Sequence, residues 1–175
     1  KDVTPFMCAA ATADVPFMKT LLELGADPNL RDAQGRTALM MAAGIDESPE
    51  GDGPATPEEH LAAVTFLLDL RTDAGEPFPG LDINAVDRSG ETAMHGAAYK
   101  MLPDVVFLLD ERGADINIWS KKSRQGRTPL SIAQGFRPGN FKPSFETIAA
   151  IEKVMIAHGV TPPPPPERRD GNWPR

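Results

Sequence analysis

The stretch TPFMCAA at residues 4–10 decides the fold, because close variants of it occur three more times along the chain. The variants are TALMMAA at 37–43, TAMHGAA at 92–98 and TPLSIAQ at 128–134. The first threonines of the four copies lie 33, 55 and 36 residues apart. A period of about 33 residues therefore runs through the chain, with extra residues in its second and third intervals.

A second marker repeats in the same register. The stretch GADPN ends at Asn29, 25 residues after the first threonine, and GADIN ends at Asn117, 25 residues after the third. A glycine before a copy, as at Gly35 and Gly90, allows the positive φ of a tight turn. The threonine that follows predicts a helix N-cap. Because one such unit cannot bury its apolar face alone, the pattern predicts a stack of units.

These features together resemble the ankyrin repeat: the 33-residue period, the Thr-Pro-Leu-His-like opening, the Gly-Ala-Asp-x-Asn close and an Asp-x-x-Gly turn. The resemblance covers about residues 2–159 and implies an all-α solenoid of about four helix-turn-helix units with β-turn fingers. The implied units are residues 2–31, 32–86, 87–120 and 121–159. The stretch at 133–142 is similar to bacterial ankyrin proteins, some of which are exported.

The same register locates the insertions. The second unit has 13 extra residues at 45–57, before its outer helix, and nine at 72–80, after it. The fourth unit has about ten extra residues at 136–145, again between its two helices. The two inter-helix insertions are therefore expected at one edge of the solenoid. The predicted repeat domain covers 1–160, and residues 161–175 form a proline-rich tail, which favours extended polyproline II structure.

Composition and charge exclude several functional classes. The 175 residues carry 18 Lys and Arg against 25 Asp and Glu, a formal net charge of −7. A negative charge opposes binding to nucleic acid and to anionic membranes. No apolar run approaches the roughly 18 residues of a membrane-spanning helix. The single cysteine, Cys8, excludes an internal disulfide, which fits both a cytoplasmic and an exported or periplasmic protein.

The resemblance also implies where a protein partner binds, because ankyrin-like stacks use their fingers and the exposed side of their inner helices. The last finger stands out: WSKKSRQGR at 119–127 is three residues longer and carries four cations and one tryptophan. Aromatic and arginine side chains dominate interface energetics, and clustered cations steer an acidic partner. Alternatively, the finger is only solvated and its tryptophan packs over a neighbouring turn. The predicted partner-binding residues are Arg31, Arg36, Arg88, Glu91, Tyr99, Lys100, Trp119, Lys121, Lys122, Arg124 and Arg127.

The insertion at 45–59 is acidic and has three interpretations. Asp46, Ser48, Glu50 and Gly51 match four positions of a twelve-residue calcium loop. Pro57, however, occupies the position of the bidentate glutamate that such a loop needs. A solvated acidic loop is therefore the preferred interpretation, and contact with a basic partner is the third.

The remaining reactive side chains are expected to be structural. Met41 and Met94 fall on apolar positions of the repeat, and Cys8 shares the position of Met41, so all three are predicted to lie in the core. His95 is predicted to brace a neighbouring turn. The chain has no His-Glu-x-x-His, no phosphate-binding glycine loop and no Gly-x-Ser-x-Gly motif. We therefore predict no catalytic site, no metal and no cofactor.

Three functions are compatible with these features. The leading one is a non-catalytic scaffold that binds a protein on its concave face. The second is a structural part or accessory subunit of a larger complex, and the third is an arm attached to a catalytic domain. Because only three residues precede Thr4, upstream repeats or a partner are expected to cover the face around Phe6, Met7 and Cys8.

Overall fold

A computed structural model describes residues 2–45, 55–137 and 142–165. Within these ranges the chain forms nine helices, and its only β-type pairing is an isolated antiparallel bridge between Arg71 and Pro77. A 3-10 turn at Pro79–Leu81 separates the fourth and fifth helices. The helices are α1 (Pro5–Ala11), α2 (Val15–Glu23), α3 (Ala38–Ala42), α4 (Pro57–Asp69), α5 (Ala93–Tyr99), α6 (Pro103–Glu111), α7 (Ile116–Trp119), α8 (Pro129–Ala133) and α9 (Phe145–Ala157).

The helices form two layers that follow the repeat. Helices α1, α3, α5 and α8 pack on one another in chain order as an inner layer, and α2, α4, α6 and α9 do the same as an outer layer. Each inner helix also packs on the outer helix of its own unit. Neighbouring units thus bury each other's apolar faces, and the predicted all-α solenoid of four helix pairs is confirmed.

The threonine of each copy begins an inner helix, as the sequence predicts. Oγ1 of Thr4, Thr37 and Thr128 accepts a hydrogen bond at 3.2 Å from the amide three residues further on. In the third copy the amide of Thr92 donates to Nδ1 of His95, also at 3.2 Å. The buried imidazole therefore has a structural role, but it braces the start of its own helix α5 rather than the neighbouring turn that we predicted.

Three of the four outer helices end on the predicted glycine. Gly25, Gly113 and Gly159 have φ of 87°, 91° and 73°, a left-handed conformation that other residues rarely adopt. The second unit has Arg71 at this position, and the residue before it is extended instead. Nη1 of Arg71 donates to two backbone carbonyls at the end of α4, both at 2.8 Å. The arginine side chain thus satisfies carbonyls that a glycine cap would otherwise pair.

The core runs through all four units as one cluster of buried apolar residues. The inner helices approach closely between the second and third units, at Gly44 and Gly96. A Cβ at Gly44 would lie 2.7 Å from the carbonyl oxygen of Gly96, and a Cβ at Gly96 would lie 3.0 Å from that of Ala43. The fifth residue of a copy, here Gly96, therefore faces the preceding unit.

This geometry corrects the prediction for Cys8, which is the fifth residue of the first copy. Met41, Gly96 and Ile132, at the same position of the other units, are buried, but Cys8 is exposed. The described residues place no unit in front of the first one. Phe6 and Met7 are each only 1% exposed, because their own unit and the next one cover them.

The insertions lie between the predicted elements. Helix α4 begins at Pro57 and α9 at Phe145, which places both inter-helix insertions between the two helices of a unit. Residues 46–54, including those that match a calcium loop, lie outside the described residues, as do 138–141 and the tail from 166 onwards. The insertion at 72–80 returns to the first unit, where the amide of Gly80 donates to Oδ1 of Asn29 at 2.8 Å.

Candidate protein-binding site

Three turns form the row of fingers, which we name by their unit: the second finger (32–36), the third finger (87–91) and the fourth finger (123–127). A backbone hydrogen bond closes each finger, as in Asp32 N to Arg36 O at 3.1 Å. Two further bonds join the fingers: Arg88 N donates to Gln34 O and Arg124 N donates to Ser89 O, both at 2.8 Å. These bonds hold the three fingers side by side in a fixed register, and we call them the backbone ladder.

The second finger pairs its own charges. Oδ1 of Asp32 accepts the amides of Gln34 and Arg36, and its Oδ2 lies 2.7 Å from Nε and 2.6 Å from Nη2 of Arg36. Both residues are at most 7% exposed. Burial raises the pKa of Asp32, but the hydrogen bonds from Arg36 outweigh it and the pKa is lowered overall. The side chain of Arg36, a predicted contact residue, therefore lies inside its finger and is not presented to a partner.

A tyrosine side chain links a charged residue of the third finger to one of the fourth by hydrogen bonds. The hydroxyl of Tyr99, at the end of α5, donates to Oε1 of Glu91 at 2.8 Å and accepts from Nη1 of Arg127 at 3.0 Å. Glu91 and Arg127 occupy the position that Arg36 holds in the second finger. Burial raises the pKa of Glu91, and burial together with the nearby Glu91 raises that of Tyr99. We call this chain of hydrogen bonds the tyrosine bridge.

The tyrosine bridge is anchored from behind by a second arginine. Arg137, only 1% exposed, donates from Nη1 to the backbone carbonyl of Tyr99. Lys100, the next residue, is half-buried, and its stem lies close to Gly44 of the second unit. Sequence reasoning missed Arg137, because it lies in an insertion that the repeat pattern does not describe. The only feature of the sequence that pointed to Arg137 was its positive charge close to the last inner helix, α8.

Trp119 is buried rather than presented to solvent. It ends the short helix α7, is 2% exposed and belongs to the main apolar core. Its Nε1 has no hydrogen-bond partner among the described residues. The structure thus has the tryptophan packed inside the base of the fourth finger, which is the alternative to a surface anchor.

Five exposed cations lie on the fingers or just before them. Arg31, Arg88 and Arg124 are exposed, as are Lys121 and Lys122, and none of the five pairs with a described acidic residue. We call four of them, Arg88, Lys121, Lys122 and Arg124, the cationic patch. The structure therefore separates the predicted site into exposed residues that a partner can reach and buried residues that hold the fingers in place.

The described residues bring together no obvious reactive group at this site. Across residues 2–45, 55–137 and 142–165, no three His, Cys, Asp or Glu side chains lie close enough to hold a metal ion. Burial lowers the pKa of His95 to about 4, the backbone of Arg127 offsets only part of this effect, and Nε2 of the ring has no hydrogen-bond partner among the described residues. The imidazole is therefore neutral at physiological pH and sealed from solvent.

A second surface feature is a pocket of about 380 Å³ at the end of α4. Leu67, Phe78 and Leu81 are among the residues that line it. Arg112 lies at the pocket and pairs with Asp69 at 2.6 Å, joining the second and third units. Since residues 72–80 are an insertion, the repeat pattern did not predict this pocket.

Comparison with known proteins agrees with the architecture. A model of ankyrin repeats in many copies matches residues 4–47, and a model of the single ankyrin repeat matches 89–121. The ankyrin repeat protein YahD of Escherichia coli K12 is 27% identical over 173 residues, which is 90% of this chain and 80% of that protein.

Two mammalian proteins are similar over shorter stretches. The ankyrin repeat and SOCS box protein 16 of mouse is 31% identical over 132 residues, 75% of this chain. Human B-cell lymphoma 3 protein is 33% identical over 128 residues, 73% of this chain. The matched stretch covers only 25% and 24% of these two proteins.

The described part of the chain also contains no helix that is both long and apolar enough to cross a membrane. The four stacked helix pairs, the linked fingers and the two family matches agree with one another. With a bacterial relative along most of its length, the chain belongs to the ankyrin repeat proteins.

Proposed function

We propose that this chain is a non-catalytic scaffold that binds a protein partner, with an acidic surface, on its concave face of fingers and inner helices. Ankyrin repeats generally mediate interactions between proteins. The observation that carries the proposal is the backbone ladder, which holds unpaired, exposed cations on consecutive fingers. A rigid array of this kind loses little conformational entropy on binding.

The predicted residues divide into two groups with different roles. The contact group is exposed, and the positioning group fixes the shape of the fingers from inside. Substitutions in the contact group should weaken binding without unfolding the protein, whereas those in the positioning group should affect both. The contact residues are Arg31, Arg88, Lys121, Lys122 and Arg124. The positioning residues are Arg36, Glu91, Tyr99, Lys100, Trp119 and Arg127.

A second candidate function is a structural part or accessory subunit of a larger complex. The face of the first unit supports it. Pro5, Cys8 and Phe17 are exposed there, whereas the equivalent positions of the three later units are buried by the unit before them. Such a face can pack against a further repeat or a partner protein, because exposed apolar patches often mark interaction sites.

Co-purification from the native source, followed by mass spectrometry, tests the proposal. A protein that is retained at defined stoichiometry and released by a charge substitution on the fingers would support it. Recovery of the chain without a partner under native ionic strength would contradict it. The thiol of Cys8 separates the two functions: it stays reactive towards a maleimide in a complex formed at the fingers, but is protected when the first unit is covered.

A further inference from the structure

We infer that the third and fourth fingers together form one anion-binding site, which takes an extended acidic peptide segment of the partner. This inference rests on the proposed function and specifies the chemistry of the partner at that surface. The residues that contact the segment are those of the cationic patch. The tyrosine bridge positions them and does not contact the segment itself.

The charge balance of the two fingers favours an anionic ligand. Residues 116–128 contain four cations and no Asp or Glu. The two carboxylates of the third finger are turned inward: Asp87 accepts the amides of Ser89 and Glu91 at 2.8 Å, and Glu91 accepts the hydroxyl of Tyr99. The surface of these fingers is therefore cationic in a chain whose net charge is −7. Such a local reversal of charge steers an acidic partner and orients it.

The backbone fixes how the two arginines are arranged. Arg88 and Arg124 occupy the same position of consecutive fingers, and the hydrogen bond from Arg124 N to Ser89 O joins those fingers directly. The stem of Arg88 rests on the second finger, where its Cγ lies 3.8 Å from the position of a Cβ on Gly35. An extended peptide places alternate side chains on one face about 7 Å apart. One segment can therefore offer carboxylates to both fingers.

The tyrosine bridge explains why the two fingers act together. It connects Glu91 of the third finger to Arg127 of the fourth beneath the cationic patch, and Arg137 holds the backbone of Tyr99. Without the hydroxyl, the two fingers would keep the ladder bond but lose their side-chain connection. Tyr99 is thus a positioning residue for a segment long enough to span both fingers.

A peptide fits this surface better than a nucleic acid does. Proteins that bind single-stranded nucleic acid combine cations with exposed aromatic rings on which bases stack. Here Trp119 is 2% exposed, and the hydroxyl of Tyr99 is engaged on both sides. The net negative charge of the whole chain also opposes a polyphosphate at long range.

Fluorescence anisotropy with a labelled twelve-residue peptide rich in glutamate tests the inference, and the same peptide with glutamine at every glutamate is its control. We expect the glutamate peptide to bind about tenfold more tightly at an ionic strength of about 0.15 M. Arg88→Gln and Arg124→Gln should each raise its Kd about threefold. Arg112→Gln, a change of an exposed arginine at the pocket on α4 and outside the contact group, should leave the Kd unchanged.

Tyr99→Phe tests the positioning role with a readout that depends on peptide length. It should raise the Kd of the twelve-residue peptide about threefold, yet leave unchanged that of a four-residue glutamate peptide, which reaches only one finger. A variant that merely loosens the protein would weaken both peptides equally. Thermal melting of each variant shows that it is folded before binding is compared.

Three outcomes would overturn the inference: equal binding of the two long peptides, an equal effect of Arg112→Gln, or tighter binding of a ten-nucleotide oligouridylate. The co-purified partner distinguishes this failure from failure of the proposed function. If that partner remains bound to the Arg88→Gln and Arg124→Gln double variant, the site is elsewhere and the scaffold function stands. If the wild-type chain retains no partner, the proposed function itself fails.

Discussion

The second and fourth fingers have the same backbone but opposite electrostatic behaviour. In the second finger, Asp32 pairs with Arg36 inside the turn, and the finger neutralises its own charge. In the fourth, Ser123 stands in place of the aspartate, and Arg127 bonds to Tyr99 of the third unit instead. With serine in place of the aspartate, the fourth finger has no carboxylate of its own to pair with Arg127, whose side chain bonds to the neighbouring unit.

The comparison shows that fold and function rest on different residues of the same repeat. Both fingers close with a backbone hydrogen bond and contain a glycine at positive φ. The side chains around that frame determine whether a finger contributes to stability or presents charge to a partner. The following predictions test this division, from the largest expected effect to the smallest.

Trp119→Ala should destabilise the protein most, by about 3–5 kcal/mol, because it removes a large side chain from the core below the fourth finger. Urea unfolding followed by far-ultraviolet circular dichroism measures the loss. Its surface control is Arg124→Ala, which should change the free energy of unfolding by less than about 0.5 kcal/mol. A normal stability combined with lost partner binding would instead make the indole a surface anchor.

Asp32→Ala should cost about 2–3 kcal/mol, because it removes the carboxylate that pairs with the buried guanidinium of Arg36 and that accepts two turn amides. The matched change in the fourth finger, Ser123→Ala, should cost about 1 kcal/mol or less, since it removes only neutral hydrogen bonds. Equal losses at the two positions, measured by the same unfolding assay, would contradict the difference between the fingers.

The two carboxylates should also respond to pH in opposite directions. The pKa of Asp32 is lower in the folded than in the unfolded protein. Its contribution to the free energy of unfolding is therefore present above the unfolded-state pKa and is lost as pH falls through the folded-state pKa. The pKa of Glu91 is higher in the folded than in the unfolded protein. Its contribution to the free energy of unfolding is therefore present below the unfolded-state pKa and is lost as pH rises through the folded-state pKa.

Glu91→Gln tests the second half of this statement. Because glutamine keeps an acceptor for Tyr99 but does not ionise, the variant should gain stability relative to the wild type as pH rises from about 4 to 7. Urea midpoints across that range measure the difference. A stability difference that is constant with pH, or that falls as pH rises, would show that the ionised carboxylate is not penalised in the fold.

Arg88→Gln should have the smallest effect on stability, with a change below about 0.5 kcal/mol, because the side chain is exposed and forms no ion pair with a described residue. Its thermal midpoint should match that of the wild type within the error of the scan. A large loss would mean that the arginine stem stabilises the contact between the second and third fingers.

Much of the fold could be predicted from the sequence, because the repeat places the same residue types at the same steps. The caps at Thr4 and Thr37, the glycine at Gly113 and the burial of Met94 all follow from that periodicity. The exposure of Cys8 does not follow from the periodicity, because burial at its position depends on contact with a preceding unit rather than on the residue type.

The site was harder to predict. A repeat pattern predicts the element on which a residue lies, but it does not predict with which residue its side chain forms a hydrogen bond. Arg36 and Arg127 share a repeat position, yet one pairs within its finger and the other bonds across units. The substitution of aspartate by serine at 123 was the available signal. Trp119 is buried where three extra residues precede that finger, and the repeat provides no template for this segment.

Arginine-specific labelling of the complex tests the central claim most directly. Phenylglyoxal modification, with mass spectrometry of the free chain and of its complex with the co-purified partner, measures which guanidinium groups become covered. We predict that Arg88 and Arg124 are protected, whereas Arg112, at the pocket on α4, reacts equally in both states. Protection of Arg112 with undiminished reaction at Arg88 and Arg124 would place the partner on another surface and contradict the account.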